Sequence, residues 1–175
     1  MSPSAEDLVA LISKEAHDEM NDAVGAIKHC FDQLSEEQIW WRPDESMNSI
    51  GNLVLHVCGN MRQWIVSGVG GEPDARQRQS EFDERGPISK VELLQKLDDT
   101  LSDVKAVFAR VTPHDLAQQH RIQGFDVTRL QAIFHSMAHL RGHTQEIVQL
   151  TRSQIGDQYK FIFVPSTLDE GSQTS

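Results

Sequence analysis

Three histidines, His135, His139 and His143, recur at steps of four residues. On a helix that spacing stacks them along one edge. Two imidazoles at i and i+4 can chelate one ion, the arrangement used by helix-borne zinc sites. A single ion is not expected to use all three, because the outer two stand two turns apart, about 12 Å. Spacing alone leaves the chelating pair open between His135 with His139 and His139 with His143. The chain has eight histidines in 175 residues. Chance would give roughly 0.4 pairs at this spacing, so two overlapping pairs carry weight that a single pair would not.

A fourth histidine, His56, sits on the flank of another apolar helical face, beside Asn60 and Gln63. Alone, it reads as a buried imidazole bonded to a neighbour. Taken with the distant pair, it completes a set of three neutral imidazoles. Such a set leaves a fourth coordination position open for water or a substrate atom, which distinguishes catalytic from structural metal sites. Glu146 follows one turn after the pair; it is weighed equally as a partner for an imidazole and as a solvated acid. Trp64, Trp41, Arg76 and Arg78 could line a substrate pocket, each weighed against a role in packing or at the surface. His17 and His29 fall off the apolar face of their helix, and His114 and His120 fall in a connector. None of these four is taken as a ligand. No phosphate-binding loop, dinucleotide glycine fingerprint or nucleophile elbow is present, nor are the two Glu-x-x-His motifs of a di-iron site.

Four amphipathic helices are predicted to position these residues. The first spans Ala5 to Leu34, with Ser4 as N-cap and Asp7 completing a capping box. Its apolar positions are Leu8, Leu11, Ile12, Ala23, Ile27, Cys30, Phe31 and Leu34. A loop from Ser35 to Asn48 contains Pro43 and the adjacent Trp40 and Trp41, read as covering a core edge. The second helix starts at Asn48 or Ser49, and Gly68-Val69-Gly70-Gly71 stops it. Glu72 to Pro87 reads as a polar loop. The third helix begins at Ser89, follows Leu94, Leu97, Leu101, Val104, Phe108 and Val111, and ends at Thr112-Pro113. After a connector, His114 to Asp126, the fourth helix runs from Thr128 to Ser153, capped by Asp126 or Thr128. Its main apolar arc is read as Leu130, Phe134, Met137 and Val148, opposite the histidines. Tyr159 to Val164 is expected to lie extended on the bundle, Pro165 to end it, and residues 166–175 to fray. Four such helices in one chain imply an all-α four-helix bundle forming a single domain over 1–175, with an ordered core about 5–165.

Composition narrows the function classes. Hydrophobic residues make up 38% and charged residues 24%, with a formal net charge of -10. An acidic chain without a basic stripe argues against nucleic acid and anionic membranes as partners. No apolar run approaches a membrane span, and Met1 to Ala10 has neither a basic nor an apolar leader region, so a cytoplasmic location is expected. Cys30 and Cys58 lie in helical apolar patterns and are read as buried free thiols.

The segments Asn48-Ser49-Ile50-Gly51-Asn52-Leu53-Val54-Leu55-His56, Gly59 to Ile65 and His139-Leu140-Arg141-Gly142-His143-Thr144-Gln145-Glu146 resemble the DinB-like superfamily of metal-binding four-helix proteins. The stretch from Gly68 to Phe82, with Arg76, Arg78 and Glu81-Phe82, is similar to one of its subgroups. The resemblance implies a bundle with a long crossover, a homodimer, and one divalent ion held by His56, His139 and His143. It alone favours His143 over His135, leaving His135 as a neighbour or substrate-facing group. Where the family often has Gly-Gln, this chain has Gln145-Glu146, which places an acid beside the site.

Three functions are compatible with these residues. In the first, the ion activates a low-molecular-weight thiol for transfer to a small electrophilic substrate. The second is metal-assisted hydrolysis, with Glu146 or His135 as base. The third is a non-catalytic helical binding module. Three imidazoles suit Zn or Ni best, with Fe or Mn also compatible.

Overall fold

Side-chain caps set the helix starts. The computed structural model describes residues 2–162. Six helices begin with a capping box in which a Ser or Thr hydroxyl accepts from the backbone three residues on, and that residue's side chain returns the bond. The boxes are Ser4 with Asp7, Ser35 with Gln38, Ser49 with Asn52, Ser89 with Glu92, Thr112 with Asp115 and Thr128 with Gln131. They open α1 (Ala5–Gln33), α2 (Glu36–Trp40), α3 (Ile50–Met61), α5 (Lys90–Phe108), α6 (Pro113–Ala117) and α7 (Arg129–Ile155). A short α4 (Arg78–Asp83) lies between α3 and α5. At its C-terminus α3 continues into a wider π-helical turn, Arg62–Ser67.

The fold is an all-α bundle. Helix α1 packs on α5 and α7, and α3 packs on the same two, so α1 and α3 stand on opposite sides of it. Its centre contains Met20, Ile27 and Phe31 from α1, Leu53 and Met61 from α3, Leu93 and Leu97 from α5, and Ile133 and Leu140 from α7. Together they remove a continuous apolar surface from water, which is the main stabilising term for a chain of this size.

Three connectors hold structure that periodicity does not signal. The segment after α1 contains α2, whose Trp40 lies against Gly51 of α3 and against Gly86. The polar loop after the π-turn contains α4. The connector after α5 contains α6 and a hairpin, β1 (Gln119–Ile122) antiparallel to β2 (Phe125–Thr128). Its two turn residues, Gln123 and Gly124, both have positive φ, as a two-residue hairpin loop requires. Each of these elements is too short to show a helical stripe.

The apolar faces also differ from expectation at three places. On α1, Leu8 and Leu11 are 48% and 54% exposed, and the buried stripe passes through Val9, Ser13 and Ala16. On α5, Leu93 is buried rather than Leu94. On α7, Phe134 is 52% exposed, and the buried face is Ile133, Ser136, Leu140, Thr144, Ile147 and Thr151. The physical reason is that Ser136, Thr144 and Thr151 are satisfied inside the protein: Thr144 and Thr151 donate to the carbonyls of Leu140 and Ile147, and Ser136 donates to Asn60 Oδ1. A stripe built from apolar residue types alone drifts toward Leu130 and Phe134 and misses this small, hydroxyl-rich face.

At the C-terminal end, Tyr159 is partly buried against the core, and the Lys160 backbone bonds Gln33. Phe161 and Ile162 are exposed. The expected end of this segment at Val164 and Pro165, and the expected fraying of 166–175, fall outside the described residues.

Candidate metal centre

His56 projects from α3, and His139 and His143 from successive turns of α7. Each of the three can offer a nitrogen such that the three atoms lie within 4.8 Å of one another. The ring centroids are 4.9 Å apart for His56 and His139, 5.0 Å for His56 and His143, and 4.5 Å for His139 and His143. The register between the two helices is fixed close by, where buried Ser136 bonds buried Asn60.

The polar surroundings assign most ring nitrogens. Glu81 Oε2 lies 2.9 Å from Nδ1 of His56. Burial opposes ionisation of Glu81, but hydrogen bonds from Arg76 and His56 and the Arg76 charge outweigh it and hold the carboxyl below its usual range. An ionised carboxylate accepts, so a proton on Nδ1 of His56 would complete this contact and leave a lone pair on Nε2. His143 Nδ1 lies 2.8 Å from Glu146 Oε2, leaving its Nε2 available in the same way. Nε2 of His56 faces Nε2 of His139 across 3.2 Å. Such a contact requires either a proton on His139 Nε2 or a cation between two lone pairs.

His139 is held neutral within the group. Its Nδ1 is buried and has no hydrogen-bond partner among the described residues. Burial, then electrostatic repulsion of a proton by the surrounding His143, His56, His135 and Arg76, push its pKa down to about 3. It therefore stays neutral at physiological pH, the state a metal ligand needs. A compact set of three imidazole nitrogens fits a divalent ion of the zinc or nickel type better than calcium or magnesium, which favour oxygen donors.

The remaining sequence candidates occupy the surroundings. His135 stacks on Trp64, with ring centroids 3.8 Å apart, and stands 5.9 Å from His139 outside the three-His group. Burial lowers its pKa. Trp64, raised on the π-turn, is itself buried in the core. Arg76 turns inward: its side chain is 3% exposed and bonds both oxygens of Glu81. Arg78 is exposed and lies over the Phe82 ring, which packs in turn against His56. A cavity of about 570 Å³ opens beside Arg76 and Glu81, between the 72–81 segment and α5, but none of the three histidines lines it.

Sequence reasoning gave no role to Glu81. It lies 25 residues from His56 on a six-residue helix without periodicity. One signal was present: Gly59, a helix-interior glycine one turn after His56, marks a place where something approaches closely.

A family model described as "Protein of unknown function (DUF1572)" matches residues 9–168. The chain belongs to the DUF1572 family. Two crystal structures share the fold of this DUF1572 protein. One, a DinB-like protein, YjoA, from Bacillus subtilis, is 16% identical with a TM-score of 0.62, covering 86% of this chain and 96% of that one. The other, a conserved protein from Enterococcus faecalis, is 13% identical with a TM-score of 0.63, covering 89% of this chain and all (100%) of that one. At such identities the likeness is one of fold, and the fold is DinB-like. No match is found among curated proteins. Among the described residues, no helix is long and apolar enough to cross a membrane.

Proposed function

We propose that this chain is a divalent-metal-binding protein whose three-His site activates a low-molecular-weight thiol for transfer to a small electrophile. The observation that carries the reading is the convergence of His56, His139 and His143 from two helices, with their donor atoms within 4.8 Å. Bound there, a divalent ion supplies positive charge that lowers a thiol's pKa and polarises an electrophile. The chain's own residues supply the rest. Glu81 and Glu146 orient two of the imidazoles. His135, stacked on Trp64 and with its pKa lowered by partial desolvation, is the base beside the group. It would take the thiol proton while sulfur bonds to the electrophilic carbon and the leaving group departs with its electron pair.

A hydrolytic reading requires a base free to activate water. Glu146 is bonded to His143, so that reading rests on His135 alone and is less well supported. The test is elemental analysis of tag-free protein beside His56→Ala and His143→Ala. We expect about one zinc- or nickel-class ion per chain in the parent and a loss of most of it in each variant. A cobalt-loaded protein should then change its visible spectrum when a thiol is added. Absence of metal after reconstitution would remove both catalytic readings and leave a binding module. Tight metal with no response to thiols would remove the transferase.

A further inference from the structure

The contacts around Glu81 are more elaborate than packing α4 onto α3 requires. Both of its carboxylate oxygens are committed: Oε1 accepts from Arg76 Nε at 2.7 Å, and Oε2 accepts from Arg76 Nη2 at 2.8 Å and lies 2.9 Å from His56 Nδ1. Gln63 fixes the far side of the guanidinium, accepting from Nη1 at 3.0 Å. The backbone of α4 is anchored separately. The Asn52 side-chain amide donates to the carbonyls of Glu81 and Glu84 at 2.8 and 2.9 Å. Asn52 stands one turn before His56 on α3 and is completely buried.

Gly59 supplies the space. A Cβ at this position would collide with the Glu81 carboxylate and stand 2.9 Å from Arg76 Nε. Glycine inside a helix is less favourable than alanine, yet the chain has one where the Glu81–Arg76 pair meets α3. The pair formed by His143 and Glu146 is built differently. It joins neighbours on one helix, with side chains 26% and 44% exposed, and water competes for it. The side chains of His56 and Glu81 are 5% and 10% exposed.

We propose that Glu81, clamped by Arg76 and given room by Gly59, is a positioning residue that holds the His56 proton on Nδ1 and so presents Nε2 to a metal ion. The proposal deepens the three-His reading and rests on it for the identity of the ligand. A neutral imidazole divides its proton between two nitrogens according to the bond each can make. A fixed carboxylate on one side makes that choice in advance, which removes a tautomer change from the binding step. Arg76 keeps the carboxylate ionised and in plane, since a two-point guanidinium contact constrains rotation as well as position. The neighbouring chemistry is accounted for: Arg76 Nη2 lies 3.2 Å from His56 Nδ1, but its two N–H groups have other acceptors, Glu81 Oε2 at 2.8 Å and the His56 carbonyl at 3.4 Å.

Two variants and two readouts test this. Glu81→Gln keeps the size and a carbonyl acceptor but loses the charge. Gly59→Ala leaves Glu81 in place chemically and displaces it sterically. The first readout is the imidazole nitrogen-15 spectrum of the metal-free protein, with His56 assigned through its loss in His56→Asn. The second is zinc affinity by competition with a chromophoric chelator. The parent should show His56 with its proton on Nδ1. Both variants should shift His56 toward the other tautomer and weaken zinc by about 10- to 100-fold. The double variant should lose little more than either single one. A parental tautomer and an affinity within about twofold in a folded Glu81→Gln protein would overturn the proposal. Should that variant not fold, unchanged readouts in Gly59→Ala would do so. A parent that binds no zinc would defeat the three-His reading, while the metal-free spectrum would still decide what Glu81 does to His56.

Discussion

At the residue scale, the most informative atom is Nδ1 of His139, buried without a partner among the described residues. An orphaned polar atom in a protein interior costs stability and calls for a reason. The atom that faces His56 is the other nitrogen, Nε2, at 3.2 Å; the ring is placed by the three-His group, and Nδ1 carries the cost of that placement. Its pKa of about 3, against an ordinary 6.5, has a consequence in the metal-free protein. A base whose folded pKa is depressed contributes stability that is complete above the unfolded pKa and lost as pH falls toward the folded one. The window here runs from 6.5 down to about 3. Denaturant midpoints of the metal-free protein should therefore fall between pH 7 and pH 4.5, and fall less in His139→Gln. Equal losses in the two proteins would place the acid sensitivity elsewhere. The spacing of His135, His139 and His143 advertised this region, but spacing could not choose between the two pairs. That choice depends on which turn of α7 stands opposite His56, and residue intervals along one helix carry no such information.

At the scale of elements, the connectors determine how the helices meet. Trp40 of α2 has Gly51 of α3 on one side and Gly86 on the other, and its Nε1 donates to the Ile88 carbonyl at 3.0 Å. A Cβ on Gly51 would stand 2.8 Å from the ring. With Gly86 behind it, the ring has nowhere to retreat. Gly51→Ala gains up to about 1 kcal/mol of helix propensity, but the overpacking costs about 1–3 kcal/mol. The expected net effect is a loss of stability, read as a lower denaturant midpoint with an unchanged slope. A more stable variant would mean that the ring is free to move. The tryptophan pair was legible as a cover for a core edge, and Trp40 behaves so, whereas Trp41 is 42% exposed. The N-caps of the long helices were legible too, Ser4 with its capping box and Ser89 outright, Ser49 and Thr128 each beside one alternative, because a cap is a local arrangement of residues three apart. Helix α4, which delivers Glu81, was not, since six residues held by Asn52 show no periodicity of their own.

For the whole molecule, the three-His group joins α3 to α7 across 83 residues of sequence. Occupying it should therefore stabilise the bundle and not merely one helix. An ion that binds only the folded state, at 100 times its dissociation constant, adds about 2.7 kcal/mol. For a chain of this size that corresponds to a rise in Tm of about 5–10 °C. Zinc should produce this rise in the parent, a chelator should reverse it, and His56→Ala should show neither. An equal rise in His56→Ala would mean that the ion binds elsewhere. The sequence by itself determined that the chain is helical, where its long helices start, and which residue types could bind metal. Those properties follow from local caps, from a 3.6-residue period and from the chemistry of imidazole. Only the tertiary structure decided which face of α7 is buried, which carboxylate holds His56, and that Arg76 turns inward. These outcomes depend on hydroxyls, glycines and an ion pair meeting across helices, where a residue's meaning is set by what stands opposite it and not by its neighbours in the chain.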